Sequence, residues 1–299
     1  MKIEIENVSK TFKDKEVVKE ISFAVNRGRI VGLLGPNGAG KTTTLRMILN
    51  ILKPDSGSIT FDDQRMNRKI RDQIGYLPEE RGLYQKYAVL DVLLYFGRLK
   101  NLTRRKSHVE AVRLLDGFQM IDYMDEPIGH LSKGLQQKLQ FLVSLIHNPE
   151  ILIMDEPMWG LDPINQEMVK QKILSLRDEG KTILISTHQL AEAETMCDHF
   201  VLINHGEAVL KGSLEKIRKN VYQKMIIVET DQDLEALKKI SRVRKVDIHN
   251  KKAHLYLDGE SSVKDVMREI INTIDVVSME AHKPSLLDIF MQTIKSPEK

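Results

Sequence analysis

The fold of this 299-residue chain is decided by the stretch Gly35-Pro36-Asn37-Gly38-Ala39-Gly40-Lys41-Thr42. It fits the pattern GxxxxGK followed by Ser or Thr. It lies between the apolar run 29–34, typical of a buried parallel strand, and a run of apolar residues at helical spacing. The glycines allow the backbone to wrap closely around phosphate oxygens at the helix N-terminus, where the helix dipole favours anions. The stretch therefore predicts a phosphate-binding loop between a strand and a helix.

The side chains of this loop predict a nucleotide site. Lys41 is placed to reach the β and γ phosphates, and the Thr42 hydroxyl is an oxygen ligand of the kind that Mg²⁺ prefers. The loop alone leaves kinases, GTPases, helicases and ABC proteins open. We assign nucleotide contacts to the whole loop and the next threonine: Gly35, Pro36, Asn37, Gly38, Ala39, Gly40, Lys41, Thr42 and Thr43.

A second apolar run, Ile151–Met154, ends in two carboxylates, Asp155 and Glu156. At the end of a buried strand, Asp155 is placed to hold Mg²⁺ beside the phosphates, directly or through water. Glu156 then faces the γ-phosphate, where a carboxylate can orient and polarise the attacking water. The alternative is an acidic pair that is merely solvated. With the loop upstream, the sequence favours Asp155 as a metal ligand and Glu156 as the catalytic base.

The segment Leu131-Ser132-Lys133-Gly134-Leu135 lies about twenty residues before Asp155 and resembles LSGGQ, the signature of ABC transporter ATP-binding subunits. Lys133 and Leu135 depart from that signature. Ser132 and Gly134 keep a hydroxyl and a backbone N–H at a predicted helix N-terminus, where they can meet a phosphate. By itself this pattern is an ordinary helix cap, but its place between the loop and the Asp-Glu strand makes the resemblance specific.

Three further positions follow the family. The segment Gly160-Leu161-Asp162-Pro163 resembles its D-loop, in which Asp162 is expected to contact nucleotide across a dimer. His188, after the predicted strand 182–187, resembles the catalytic switch histidine, whose neutral imidazole can contact the γ-phosphate. Phe12 resembles the aromatic residue that stacks on adenine, and the alternative for Phe12 is a core residue of an edge strand.

Glu79 is a departure from the family. It follows the predicted strand that ends near Leu77, where the family usually has a glutamine that binds the metal. A carboxylate there would bring negative charge to the ion, strengthening metal binding while repelling phosphate. We therefore assign Glu79, with Thr42 and Asp155, as an expected Mg²⁺ ligand.

The resemblance implies the architecture and the partners. The expected fold class is α/β, a P-loop NTPase core with an antiparallel β subdomain and a helical insertion at about 83–148. The expected ligands are ATP and Mg²⁺, bound between the loop of one subunit and the signature of the other in a head-to-tail homodimer. The expected membrane partner is a separately encoded permease. The ATPase domain together with the tail at 284–290 resembles the sodium-export and drug-export (ABC-2 type) branch of the family.

The pattern changes after about residue 212. Residues 216–299 predict a small accessory domain with the order β-α-β-β-α-β, which is that of a ferredoxin-like module, and residues 1–215 predict the ATPase domain. A closing helix is expected over Leu286–Ile294. The sequence shows no ligand set that assigns a role to this second domain.

Composition limits the other functions. The formal charge is only +3 and basic residues are scattered among acidic ones, so no nucleic-acid partner is expected. The basic run 98–106 predicts a solvated face. The single cysteine, Cys197, predicts a reducing cytosol. The apolar runs fall short of the roughly 18 residues of a membrane helix. We therefore expect a cytoplasmic protein held at the inner face of the membrane by its permease, the alternative being a soluble ABC ATPase acting on ribosomes or DNA.

Overall fold

The computed structural model describes residues 1–80, 82–221, 224–240, 242–258, 262–282 and 284–295. The chain divides into two compact units, Met1–Ser213 and Leu214–Lys299, so the division falls after Ser213 rather than after residue 215. The strands of the described residues are β1 (Ile3–Phe12), β2 (Lys15–Val25), β3 (Ile30–Leu34), β4 (Ser56–Phe61), β5 (Ile74–Leu77), β6 (Ile151–Asp155), β7 (Thr182–Thr187), β8 (His199–Asn204), β9 (Glu207–Gly212), β10 (Met225–Glu229), β11 (Val243–His249), β12 (Lys252–Leu257) and β13 (Ser278–His282).

The helices fall between these strands. They are α1 (Lys41–Ile48), α2 (Arg68–Asp72), α3 (Val89–Leu99), α4 (Arg104–Gly117), α5 (Lys133–Leu145), α6 (Pro163–Asp178), α7 (Leu190–Met196), α8 (Leu214–Val221), α9 (Val263–Thr273) and α10 (Leu286–Lys295). Short 3₁₀ helices span Ile121–Tyr123, Ile128–His130 and Leu234–Lys239. Within the described ranges, no helix combines the length and the apolar character needed to cross a membrane.

The first unit is built on a six-stranded sheet of order β5-β6-β7-β3-β8-β9. The first five strands in this order, β5, β6, β7, β3 and β8, are parallel to one another. The last strand, β9, pairs with β8 in the antiparallel direction. Strands β3, β6 and β7 are buried along their whole length because both of their faces are covered, which is why the sequence shows them as continuous apolar runs. Their carboxyl ends lie at one edge, with Leu34 beside Thr187 and Asp155 beside Ser186.

Each face of this sheet packs in a different hydrophobic cluster. Along β6, Ile151 and Ile153 pack in the cluster shared with β1, β2 and β4, while Leu152 and Met154 pack with the helices on the other face. Strands β2, β1 and β4 form a separate antiparallel sheet in that order. The predicted antiparallel subdomain and parallel core are confirmed.

The helices α3, α4 and α5 occupy the chain between β5 and β6, where the sequence predicts the helical insertion. Helix α5 begins after Ser132, whose hydroxyl oxygen accepts a hydrogen bond from the backbone N–H of Leu135 at 3.3 Å. Helix α6 begins after Asp162 in the same way, with Asn165 as the donor at 3.0 Å and Pro163 in the first turn. Both caps satisfy N–H groups that a helix start leaves free.

The second unit has a four-stranded antiparallel sheet of order β11-β12-β10-β13. This strand order confirms the predicted ferredoxin-like module. The first helical element is a six-residue 3₁₀ helix, Leu234–Lys239, where the sequence predicted an α-helix. The sequence predicts the first strand over residues 222–229. The strand spans Met225–Glu229, and the predicted start at Tyr222 lies outside the described residues. The closing helix spans Leu286–Lys295.

Candidate nucleotide site

The predicted phosphate-binding loop connects the end of β3 to the start of α1. Gly35, Gly38 and Gly40 have φ angles of 150°, 78° and 107°, which residues with a side chain rarely adopt. A Cβ on Gly40 would lie 2.7 Å from the carbonyl oxygen of Val17, so this position also needs a residue without a side chain. Buried Ala39 is fixed by the hydrogen bond from its N–H to the Pro36 carbonyl, at 3.2 Å.

Lys41 lies over this loop. Its ammonium group donates to the carbonyl oxygens of Gly35 at 2.8 Å and Pro36 at 3.1 Å. Burial lowers the pKa of Lys41, and the charges of Glu156, Asp155 and Glu79 act in the opposite direction. A cation held in this way beside a glycine loop is suited to binding a phosphate.

A cavity of about 370 Å³ brings most of the predicted site residues together. The loop and α1 form one wall, and the ends of β5 and β6 contribute the three acidic residues of the other. The lining residues are Val17, Asn37, Gly38, Gly40, Lys41, Thr42, Thr43, Glu79, Asp155 and Glu156. The parallel sheet explains this convergence, because the carboxyl ends of neighbouring parallel strands share one edge.

Asp155 has one oxygen that fits a metal ion. Its Oδ1 accepts a hydrogen bond from the Ser186 hydroxyl, whereas Oδ2 is buried and finds no hydrogen-bond partner among the described residues. The described residues contain no cluster of three or more His, Cys, Asp or Glu side chains able to hold a metal. Mg²⁺ retains waters and binds few protein oxygens, so Asp155 and the Thr42 hydroxyl fit this ion better than a metal needing a complete protein cage.

Glu156 is held by the end of the neighbouring strand β7. Its Oε2 accepts from the Thr187 hydroxyl at 2.9 Å, and its Oε1 accepts from the backbone N–H of His188 at 3.0 Å. The same Oε1 lies 2.7 Å from His188 Nδ1. A neutral imidazole with its proton on Nδ1 therefore donates to Glu156 and leaves Nε2 as an acceptor. The two predicted catalytic residues are in direct contact.

Eight predicted residues are not among those that line the cavity. Gly35, Pro36 and Ala39 belong to the same loop, and His188 contacts Glu156, whereas the other four lie elsewhere. Phe12 is 44% exposed at the end of β1, with the Lys10 ammonium 5.8 Å from the centre of its ring. Ser132 and Asp162 cap α5 and α6. Gly134 lies close to the D-loop, since a Cβ built on it would be 3.7 Å from the Gly160 carbonyl oxygen. Ser132, Gly134 and Asp162 thus form a second group, which we call the signature edge.

Sequence reasoning missed three residues at the cavity. Val17 lines it from the antiparallel sheet, and nothing in the alternating pattern of β2 distinguishes this residue. Ser186 and Thr187 hold the two carboxylates, and their signal was available, since two hydroxyl residues end a buried strand whose middle three residues are apolar. Polar side chains at that place need a partner, and the parallel neighbour of β7 supplies it.

The comparisons with known proteins identify the family. The model of the ABC transporter family matches residues 18–159, and the model of the C-terminal domain of DrrA1-3-like ATP-binding proteins matches residues 212–294. An ABC transporter ATP-binding protein of Alkalihalophilus pseudofirmus is 40% identical over 262 residues, which are 88% of this chain and 98% of that protein. The chain belongs to the ATP-binding proteins of ABC transporters.

Two relatives have more specific names. The linearmycin resistance ATP-binding protein LnrL of Bacillus subtilis is 29% identical over 301 residues, with 97% of each chain covered. The Nod factor export ATP-binding protein I of Sinorhizobium fredii is 39% identical over 213 residues, covering 70% of this chain and 62% of that protein. The predicted likeness to the export branch of the family is confirmed.

Solved structures agree with this assignment. The ATP-binding subunit of an ABC transporter superimposes with a TM-score of 0.69 at 31% identity, covering 74% of this chain and 93% of that one. A dimeric ATP-binding cassette in a post-hydrolysis state, bound to ADP and Pi, shares the fold with a TM-score of 0.66 at 24% identity, covering 71% and 98%. The chain is an ATPase of the ABC type.

Proposed function

We propose that this chain hydrolyses ATP to power a separately encoded membrane permease, and that the permease is an exporter. The observation that carries the proposal is the cavity in which Lys41, Thr42, Glu79, Asp155 and Glu156 lie together at the carboxyl edge of a parallel sheet. A cation, a hydroxyl and carboxylates around a glycine loop are the groups that phosphoryl transfer to water requires.

Each of these side chains has a proposed role in hydrolysis. Lys41 and the loop N–H groups bind the β and γ phosphates, and Thr42, Asp155 and Glu79 hold Mg²⁺. When bound, Mg²⁺ neutralises charge on the phosphate oxygens. Glu156 accepts a proton from the attacking water, which it orients toward the γ-phosphate. His188 fixes the Glu156 carboxylate through its Nδ1–H, and its Nε2 donates to a γ-phosphate oxygen only when it also carries a proton.

The signature edge supports a head-to-tail dimer. Ser132 and Asp162 are exposed, and the apolar side chains Trp159 and Ile164 beside them are 50% and 78% exposed. A helix N-terminus attracts phosphate, but the N-terminus of α5 does not line the nucleotide cavity of its own chain. A second copy of the chain would place its nucleotide there, so that ATP binding closes the pair and hydrolysis reopens it. Phe12, at the outer end of β1, would stack on adenine.

An exposed surface formed by residues that follow Glu79 in the chain supports the permease partner. Tyr84, Tyr87 and Tyr95 are 51%, 59% and 46% exposed, and they surround a depression of about 450 Å³ that also includes Asp91. The Tyr84 ring makes edge contacts with the rings of Tyr87 and Tyr95, each at 5.9 Å between centroids. Exposed aromatic clusters of this kind mark protein interfaces. We call these four residues the tyrosine surface and assign it to a permease segment at the inner face of the membrane.

Purification from membranes tests this function. A tagged full-length chain should co-purify with a multi-span membrane protein, and ATP hydrolysis should rise when the two are reconstituted in vesicles. The Tyr84→Ser/Tyr87→Ser variant should lose that partner while keeping its own ATPase activity, and Tyr123→Ser, at a partly exposed position elsewhere in the helical region, serves as the matched control. Recovery of ribosomes or DNA instead of a permease would favour the soluble alternative.

The export direction rests on the relatives whose names describe resistance and export. It is tested in the same vesicles. ATP supplied on the side of this chain should drive substrate away from that side, and movement toward it would identify an importer.

A further inference from the structure

Helix α5 buries three polar side chains, Gln137, Lys138 and Gln140, which are 1%, 4% and 4% exposed. Burying amide and ammonium groups costs free energy unless they form hydrogen bonds. Lys138 and Gln140 find their partners outside the helix, on two different segments of the first unit. Both of these segments carry residues of the nucleotide machinery.

Lys138 is connected to the D-loop. Its ammonium group donates to the Asn165 side-chain oxygen at 3.0 Å. Asn165 in turn donates from its backbone N–H, at 3.0 Å, and from its side-chain amide to the two carboxylate oxygens of Asp162. Burial lowers the pKa of Lys138, and the charge of Asp162 opposes that effect. The three side chains thus link the middle of α5 to the start of α6.

Gln140 is connected to the segment that carries Glu79. Its side-chain amide donates to the carbonyl oxygens of Pro78 at 3.2 Å and Glu80 at 2.9 Å. These carbonyls lie immediately before and after Glu79, whose own side chain lines the nucleotide cavity. One amide therefore fixes the backbone on both sides of a proposed metal ligand.

We propose that Lys138 and Gln140 are positioning residues that hold the D-loop and the Glu79 segment against the helix whose N-terminus is the signature. Because both contacts are made by one rigid helix, a displacement of Ser132 by a bound nucleotide is transmitted to Asp162 and Glu79 together. This inference rests on the proposed roles of Ser132, Asp162 and Glu79. It assigns to Lys138 and to Gln140 the segment that each one positions.

The D-loop connection is tested with Lys138→Met in the full-length chain. The expected result is a fall in kcat of about tenfold with KM for ATP changed less than about twofold, because the cavity that binds ATP in the same chain is not touched. Lys138→Arg should restore most of the rate, since a guanidinium can also donate to Asn165. Ser144→Ala is the matched control, because Ser144 is buried on the same helix and, among the described residues, its hydroxyl bonds only to the Phe141 carbonyl oxygen of that helix.

A double-variant comparison separates positioning from general stabilisation. If Lys138 acts through Asn165, then Lys138→Met/Asn165→Ala should be no slower than the slower single variant. If the rate reductions of the two single variants instead multiply in the double variant, Lys138 does not act through Asn165. Asn165→Ala removes the same link at a less buried residue, so it provides the test even if Lys138→Met folds poorly. In a Glu156→Gln background, Lys138→Met should also need several-fold more ATP to elute as a dimer.

The Glu79 connection is tested with Gln140→Met. The Mg²⁺ concentration that gives half-maximal turnover should rise about threefold, and Gln140→Met/Glu79→Gln should match Glu79→Gln alone. If Glu79→Gln has no effect while Gln140→Met still slows turnover, Gln140 does not act through Glu79 and that half of the proposal is wrong. Failure of the proposed function gives a different result, in which Glu156→Gln hydrolyses ATP at the normal rate.

Discussion

The nucleotide cavity and the signature edge are both built from chain segments that follow a strand or precede a helix, yet they differ in how their polar groups are satisfied. In the cavity, Glu156 is 6% exposed, and its carboxylate is held by Thr187 at the end of the neighbouring strand and by His188 just after it. At the signature edge, Ser132 and Asp162 are exposed and cap only their own helices.

The cavity is a complete binding site within one chain, whereas the signature edge is not. Buried polar groups with partners from other strands form a preorganised site, because their positions do not depend on a ligand. An exposed capping group satisfies only part of the N–H groups in the first turn of its helix, so the other N–H groups and the helix dipole can bind an anion from another molecule. We therefore expect the cavity to bind nucleotide within one chain and the signature edge to act only on the nucleotide of a second chain.

Substitution of Glu156 should have the largest effect. Glu156→Gln keeps the size of the side chain but removes the base, so kcat should fall about 10²–10³-fold, equivalent to about 3–4 kcal/mol of transition-state stabilisation. ATP affinity, measured with a fluorescent ATP analogue, should change little, and the variant should form a stable dimer with ATP. Glu167→Gln, an exposed acid-to-amide change on α6, should leave kcat unchanged. Normal turnover by Glu156→Gln would remove Glu156 as the base.

Mixing two defective variants should sharpen the comparison. Ser132→Ala should slow turnover about tenfold while each chain still binds ATP, because the hydroxyl contacts the nucleotide of the other chain. In the proposed dimer, each nucleotide lies between the cavity of one chain and the signature edge of the other. A heterodimer of Ser132→Ala and Glu156→Gln therefore has one intact site, formed by the cavity of the Ser132→Ala chain and the signature edge of the Glu156→Gln chain. The 1:1 mixture should therefore hydrolyse ATP several-fold faster than the mean of the separate variants. A mixture that only reaches that mean would place Ser132 in the site of its own chain.

The cavity was more predictable from sequence than the contacts inside it. Gly35–Thr42 is recognised from its local pattern, and the Asp155-Glu156 pair from its position directly after an apolar run. The carboxyl ends of neighbouring strands in a parallel sheet meet at one edge, whatever the length of the loops between the strands. The bonds from Thr187 and His188 to Glu156 depend on β7 lying next to β6, which two apolar runs separated by a helix do not specify. The same limit explains why Val17, from a different sheet, was missed.

In the second unit the order of strands and helices along the chain followed from the sequence pattern, but the type of one helix did not. Leu234–Lys239 contains residues that favour α-helix, yet it has only six residues and forms a 3₁₀ helix. A segment this short gains little from α-helical hydrogen bonds, so its packing decides its geometry. Leu234 and Leu237, three residues apart, are both buried, as the three-residue period of a 3₁₀ helix requires.

Glu79 gives a smaller expected effect, and it concerns the metal rather than the chemistry. Glu79→Gln replaces a charged ligand by a neutral one, so the Mg²⁺ concentration for half-maximal turnover should rise about two- to fivefold. At saturating Mg²⁺ the rate should stay within about threefold of the original, because Asp155 and Thr42 remain. Thermal stabilisation by Mg²⁺ with ADP gives a second measurement, and an unchanged Mg²⁺ dependence in both would exclude Glu79 from the metal site.

The smallest effect on turnover is expected at His147, which lies just before β6, at the opposite end of the strand from Asp155. Its Nε2 lies 3.1 Å from the Ile74 carbonyl oxygen, and burial, followed by the charge of Lys100, lowers the pKa of His147 to about 4. Because the pKa is lower in the folded than in the unfolded chain, this histidine favours folding above about pH 6.5, and that contribution is lost as the pH falls from about 6.5 toward 4.

The free energy of unfolding should therefore drop by about 2 kcal/mol from this group between pH 6.5 and 4.5. His147→Gln keeps an N–H donor for Ile74 but does not titrate, so its denaturant unfolding curves should show a smaller loss over the same range. Turnover at pH 7 should match the unmodified chain, since both the cavity and the signature edge lie away from this residue. A His147→Gln variant with the full acid sensitivity would assign that sensitivity to other groups.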